Sequence, residues 1–171
     1  MLDTLTMLVP IDEVDANDVE QLLDAAFGSD RHQRTAYRLR EGMRAVRDLS
    51  LAAIDSEGRL AGTLQSWPIQ LTTPDGTSVP LILVGPVAVD PAHQRRGLGR
   101  EMMLHMLARA DAIDAAPQVL IGDPEYYGRF FGFAADGTGE WELPGPFERH
   151  RLLARAAGRT LPAKGMLGPR T

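Results

Sequence analysis

Cysteine is missing from the 171-residue chain, which excludes disulfides, thiolate metal sites and a cysteine nucleophile. Lysine is nearly missing: Lys164 is the only one, and the other basic residues are arginine. That bias is compositional and points to no function. No apolar run approaches the roughly 20 residues of a membrane span. Met1-Leu2-Asp3-Thr4 has neither the basic nor the apolar region of a signal peptide, so the expected location is the cytoplasm, with no membrane partner. A net charge of −5 argues against a nucleic-acid partner. What remains is ordinary soluble material, 44% hydrophobic and 24% charged, long enough for one domain with its own core.

The most informative stretch is residues 79–113. Leu81-Ile82-Leu83-Val84-Gly85-Pro86-Val87-Ala88-Val89 is almost unbroken in its apolarity, and Asp90-Pro91 ends it with a turn signal. Then come Gln94-Arg95-Arg96-Gly97-Leu98-Gly99-Arg100, followed by Leu98, Met102, Met103, Met106, Leu107, Ala110 and Ile113 at helical spacing. The pattern predicts a buried strand, a glycine turn and an amphipathic helix. A helix start exposes unpaired amide N–H groups and the positive end of its dipole. Glycines at 97 and 99 let ligand oxygens approach that backbone, and Arg95, Arg96 and Arg100 add charge. Together these features describe an anion site, most simply one for a pyrophosphate. The turn lacks the Gly-x-Gly-x-x-Gly of dinucleotide folds and the Gly-Lys-Ser/Thr of a P-loop.

Val87-Ala88-Val89-Asp90-Pro91 followed by Gln94-x-x-Gly97-x-Gly99 resembles the acyl-CoA signature of the GNAT N-acetyltransferase superfamily. The resemblance covers most of residues 5–155 and is most specific in 81–107. It implies an α/β fold, the acyl-CoA N-acyltransferase fold, in which a mixed, mostly antiparallel sheet is flanked by helices and opened by a V-shaped cleft. It implies acetyl-CoA as the acyl donor and no metal. The backbone of Val87, Ala88 and Val89 would meet the pantetheine amides and the thioester oxygen. Gln94, Arg95, Arg96, Gly97, Leu98, Gly99 and Arg100 would hold the pyrophosphate, with Gln94 shaping the turn or bonding the cofactor. Gly85-Pro86 sits inside the strand, where the family carries a bulge; the other reading of that proline is an edge strand.

The remaining elements run in order along the chain. Residues 5–10 read as a first strand, and Asp12 or Asp15 caps a helix to about Phe27 with Val19, Leu22, Leu23 and Ala26 as its apolar face. A second helix runs from about Arg31 to Arg47, with Tyr37, Leu39, Met43 and Val46 as its candidate buried positions. Strands at 49–54 and 59–71 flank the tight turn Asp55-Ser56-Glu57-Gly58, and Pro74-Asp75-Gly76 makes a second hairpin. Residues 117–122 form a strand parallel to the one before the long helix. Asp123-Pro124 starts a short helix, Gly132-Phe133 restarts a strand, and Arg151-Leu152-Leu153-Ala154 is the last one. Residues 1–157 are read as the domain and 158–171 as a tail, packed on it or partly flexible.

Gly122-Asp123-Pro124-Glu125-Tyr126-Tyr127 with Arg129, Gly132 and Phe133 resembles the family's closing motif, in which a tyrosine reaches the sulfur. Adjacent tyrosines on a helix point about 100° apart. Counting from Gly122 selects Tyr127; counting back from Gly132-Phe133 finds one extra residue, and Tyr126 stays second. An unperturbed tyrosine, pKa near 10, gives its proton to a thiolate, near 8.5, only uphill by about 2 kcal/mol, so a hydrogen bond to the thiolate fits better than full donation. Residues 79–89 contain no acid, so no carboxylate on that strand serves as base. Water, Glu140, Glu142, His93 or His105 remain, the histidines reading as surface side chains.

The expected activity is acetyl transfer to a primary amine by direct attack in a ternary complex. The acceptor, small molecule or peptide, is unspecified, and the protein would be a monomer or homodimer. Trp67, Trp141, Arg31 and Arg38 are acceptor-side candidates by residue type alone. The alternative is an acyl-CoA sensor without turnover.

Overall fold

The computed structural model describes residues 6–171, without the side chains of residues 94–96. Leu5, assigned by its sequence to the first strand, and the side chains of Gln94, Arg95 and Arg96, assigned to the pyrophosphate, lie outside the described residues. The elements in chain order are β1 (Met7–Pro10), α1 (Ala16–Phe27), α2 (Thr35–Leu39), β2 (Leu51–Ile54), β3 (Leu60–Thr72) and β4 (Ser78–Val89). They continue with α3 (Leu98–Ala112), β5 (Gln118–Ile121), α4 (Pro124–Phe131), β6 (Glu140–Glu142), β7 (Leu152–Arg155) and β8 (Lys164–Pro169). The pairings are mixed and mostly antiparallel.

Several expectations need correction. The long second helix is only the five residues of α2, with tight single turns at Arg31–Gln33 and Arg47–Leu49. Only Thr35 and Leu39 of α2 are buried, and Gly42 turns left-handed at φ 76, so no apolar stripe carries a helix onward. Gly132-Phe133 starts no strand; only Ala134 bridges, to Ala154. The last strand is β8, not residues 151–154.

By contacts the chain divides into two units. The first takes residues through His32, Ala45–Ser66 and Gly85–Ile113. Here β1 pairs antiparallel with β2, and β2 with the start of β3. Asp15 Oδ1 accepts the Asn17 amide at 2.7 Å and so caps α1. The helix buries Val19, Leu22 and Leu23 on Ala88 of β4, with Ile11, Val14, Phe27 and Leu60 around them. The other face of the strands takes α3, which buries Leu98, Met102, Met103, Met106, Leu107 and Ala110. Gly62 shows how tight that contact is: a Cβ there would stand 3.0 Å from Met102 Cε and from the Ala88 carbonyl oxygen. Ile113, included in the periodic set, lies just past the helix end and is exposed.

The second unit takes Gln33–Arg44, Trp67–Val84 and Asp114–Thr171. The end of β3 pairs antiparallel with β8, which runs parallel to β6. β4 pairs in parallel with β5 at Ile82–Gln118 and Leu83–Val119, and β5 antiparallel with β7. Leu39, Ile69, Leu71, Leu81, Trp141 and Leu167 are central to its core. The Arg170 guanidinium donates to the carbonyls of Ile69 at 3.2 Å and Leu81 at 2.6 Å; its burial lowers its pKa from the ordinary value.

Backbone hydrogen bonds count one surplus residue into β4. Thr73 donates to the Thr77 carbonyl at the hairpin, and Asp90 donates to the Ala61 carbonyl at the far end. Between those bonds β3 advances twelve residues, from 73 back to 61, while β4 advances thirteen, from 77 to 90. One strand carrying one more residue than its partner is a β-bulge. Gly85, at φ 129, and Pro86, which has no N–H, are the residues of β4 suited to absorb it. The edge-strand reading falls, because β4 lies between β3 and β5 in strand order.

Leu167 is 1% exposed on β8, so Leu167→Ala is expected to cost about 2–5 kcal/mol, measured by urea unfolding. A tail merely resting on the surface would lose almost nothing.

Candidate active site

In the first unit, β4 leads into Asp90, whose Oδ1 accepts the Ala92 amide at 2.9 Å. A short tight helix, Pro91–Arg96, comes next and ends at Gly97. Gly97 is left-handed, φ 68 and ψ 22, and also occupies the capping position of α3. A residue without a side chain offers no capping oxygen. The first intrahelical bond of α3 runs from the Glu101 amide to the Gly97 carbonyl at 3.0 Å, so the N–H groups of Leu98 and Gly99 precede the helical ladder. A Cβ on Gly99 would lie 3.6 Å from Val89 and 4.0 Å from Val87. Val87 and Val89 therefore stand under the start of α3, while Ala88 faces α1. The structure thus brings Val87, Val89, Gly97, Leu98 and Gly99 together.

His93 is not a surface side chain. It is 13% exposed, with Nε2 3.6 Å from Asp55 Oδ2. Asp55 Oδ1 accepts the amides of Glu57 and Arg59, both at 2.9 Å. Those bonds, that of Arg59 foremost, with the charges of Arg59 and His93, hold the Asp55 carboxyl below the usual range against its burial. Sequence reasoning used Asp55 only as a turn residue; the Asp-Ser-Glu-Gly turn was the signal, and nothing local links it to residue 93. His105 is exposed on α3.

In the second unit, Asp123 caps α4 by accepting the Glu125 amide at 3.1 Å, with Pro124 in the first position. Glycine is required at 122 by the ring of Tyr127, which a Cβ there would meet at 2.6 Å. Tyr126 and Tyr127 pack edge to face at 5.0 Å. Tyr126 leans on Phe130 and Phe131, and Tyr127 on Phe131 and Phe133. Burial first, then Tyr126 and Asp123, push the Tyr127 hydroxyl above its ordinary pKa, with Arg151 opposing.

The acceptor-side candidates divide. Trp141 is fully buried and donates Nε1–H to the Pro162 carbonyl at 2.9 Å; it is core, because β6 turns it inward between two exposed glutamates. Of those glutamates, Glu142 pairs with Arg149 at 3.0 Å. Arg31 is also buried, paired with Glu20 and Asp24 of α1. Arg38 is exposed and donates to the Pro144 carbonyl at 2.9 Å. Trp67 is half-buried beneath the Arg40 guanidinium, 3.9 Å from the ring centre, which also covers Tyr37. Among the described residues no His, Asp and Glu cluster could hold a metal, and no helix is long and apolar enough to cross a membrane.

A mixed sheet flanked by helices, with an internal bulged strand feeding an uncapped helix through a glycine turn, is the acyl-CoA N-acyltransferase fold. The profile of the acetyltransferase (GNAT) domain matches residues 8–135. The chain is 30% identical over 151 residues, 85% of its length and 87% of the relative's, to an uncharacterized N-acetyltransferase, YhbS, of Escherichia coli K12. A crystal structure of Escherichia coli YhbS with CoA superposes with a TM-score of 0.73 at 25% identity, over 99% of this chain and 91% of that one. A GNAT acetyltransferase of Brucella melitensis with acetyl-CoA superposes with a TM-score of 0.70 at 25% identity, over 96% of each. The chain belongs to the GNAT acetyltransferase family.

Because the folded Asp55 carboxyl titrates below its ordinary value of 3.8, its contribution to stability is present above that value and is lost as the pH falls through the folded pKa. The stability gap between wild type and Asp55→Asn is therefore expected to be widest near neutral pH and to close below pH 3.8, read by urea unfolding across that range. A pH-independent gap would leave the carboxylate charge without a role.

Proposed function

We propose that this chain transfers an acetyl group from acetyl-CoA to a primary amine by direct attack in a ternary complex. The observation that carries the reading is the start of α3. Its first amides, left without a side-chain acceptor by Gly97, stand beyond a buried strand where a pyrophosphate would bind. Aligned peptide dipoles supply about half a positive charge there, and the sequence carries Arg95, Arg96 and Arg100 on either side of the turn. The CoA in the YhbS structure and the acetyl-CoA in the Brucella melitensis structure support the same ligand here.

In this reading the backbone of Val87, Ala88 and Val89 lines the pantetheine arm and polarises the thioester carbonyl. The neutral amine attacks that carbon, the C–S bond breaks, and the thiolate of coenzyme A leaves. The proton lost by the amine goes to water. Tyr127 donates its hydroxyl hydrogen bond to the departing sulfur. Its raised pKa makes complete proton donation still less favourable than for a free tyrosine, so the hydroxyl stabilises the thiolate and keeps its proton. Tyr127 is preferred over Tyr126 because its ring is the one seated on Gly122, from which the motif is counted.

Calorimetry with acetyl-CoA and coenzyme A, followed by thiol release with a panel of primary amines, tests the reading. Millimolar coenzyme A giving no heat would end it. Tyr127→Phe is expected to lower kcat by about a hundredfold with the KM for acetyl-CoA nearly unchanged. Tyr126→Phe should be much milder, and equal effects would reverse the choice. Because Tyr127 titrates above 10.0, its ionisation should not depress the rate below pH 10.

A further inference from the structure

We propose that His93 is a positioning residue that, held by Asp55, sets the entry to the glycine turn and thereby the affinity for the phosphate end of coenzyme A. The inference rests on the acyl-CoA reading and adds to it a side chain that the main-chain mechanism does not use.

The segment before the turn is tied twice to one hairpin. Its main chain is fixed where Asp90 donates to the Ala61 carbonyl of β3 at 2.8 Å, and His93 in turn donates its amide to the Asp90 carbonyl at 2.8 Å. Its side chain is fixed at the other end of the same hairpin turn, where His93 Nε2 lies against Asp55 Oδ2. Asp55 is itself immobilised, since its other oxygen takes two backbone amides of the turn. Arg59 also reaches Oδ2, at 3.5 Å, but its side chain is 71% exposed and pairs more closely with Glu57 at 2.6 Å. The sheltered partner of Oδ2 is therefore the imidazole. Nδ1 of that ring is buried and takes no partner among the described residues, so Asp55 is the polar anchor that fixes the ring.

Gly97, where the backbone turns left-handed to present the α3 amides, lies four positions beyond this clamp. Hydrogen-bonded donors bind an anion well only when held in place beforehand. Releasing the imidazole leaves the main-chain tie at Asp90 but frees the segment to pivot about it. The same geometry removes His93 from the candidate bases, because Nε2 faces a carboxylate and Nδ1 is enclosed.

The test uses the full chain, with coenzyme A and pantetheine as calorimetric probes. His93→Ala is expected to weaken coenzyme A binding by about tenfold, as loss of one preorganising contact would. Pantetheine, which lacks the phosphates, should bind as to wild type. His93→Gln, whose Nε2 can reach Asp55, should recover most of the loss. Combining His93→Ala with Asp55→Asn should weaken binding little more than His93→Ala alone. Unchanged affinity in His93→Ala, or equal loss for both probes, overturns the proposal. If His93→Ala does not fold, the comparison of His93→Gln with His93→Leu decides it: equal affinities for coenzyme A refute the clamp. Wild type failing to bind coenzyme A at all would instead sink the acyl-CoA reading, and His93's role with it.

Discussion

The residue that caps α3, Gly97, has no side chain with which to accept the N–H groups that open the helix. Three other helices have such an acceptor: Asp15 caps α1, Asp123 caps α4, and Asp90 caps the short helix that leads into the turn, whereas α2 starts at Arg34 without one. Such caps typically contribute about 1 kcal/mol each. Only at Gly97, the start of the longest helix, is the side chain absent. In the acyl-CoA reading an anionic ligand supplies the acceptor that Gly97 does not. The strand beneath holds that point firm. Val87 and Val89 support the helix from below, and Ala88 anchors the strand on α1.

The second constraint is the surplus residue in β4. An internal strand that must accept an extra residue and a proline gives up ladder hydrogen bonds. Natural folds concentrate such local irregularity where function requires it. Here it falls just ahead of Val87-Ala88-Val89, the backbone that the acyl-transfer reading needs free for a ligand's amides. In that reading a bulged strand and a helix start capped only by glycine serve the same end, a backbone shaped for a ligand.

Legibility from the sequence tracked locality. The helices α1, α3 and α4 were readable because caps, glycines and apolar spacing all lie within a few residues of one another. The hairpin turns were readable for the same reason. What failed was set by distant partners. β8, with Gly165, Gly168 and Pro169, has the composition of a tail, yet Gly165 is needed because a Cβ would lie 2.7 Å from the Thr72 carbonyl. β6 is three residues long, too short to display an alternation, so Trp141 read as a ligand-facing aromatic and not as core. The arginine-rich stretch at 31–47 invited a helix by spacing, but Arg31 pairs with α1 carboxylates and Arg40 covers two aromatic rings instead. The backbone part of the candidate site was legible because a strand, a turn and a helix in succession define it. The Asp55–His93 contact was not, since two long strands, β3 and β4, lie between the turn residue and the histidine.

Three inward positions of α3 are thioethers: Met102, Met103 and Met106, all essentially inaccessible. Unbranched sulfur side chains adapt to an irregular surface, which suits a helix seated on strands with an offset register. They also make the helix chemically guarded. Peroxide can convert methionine to its polar sulfoxide only where it can reach the sulfur, and here access demands that the helix lift from the sheet. In a chain without a single thiol, the rate of sulfoxide formation at these three sulfurs, resolved from that at the exposed Met7 and Met166, becomes a clock for that opening.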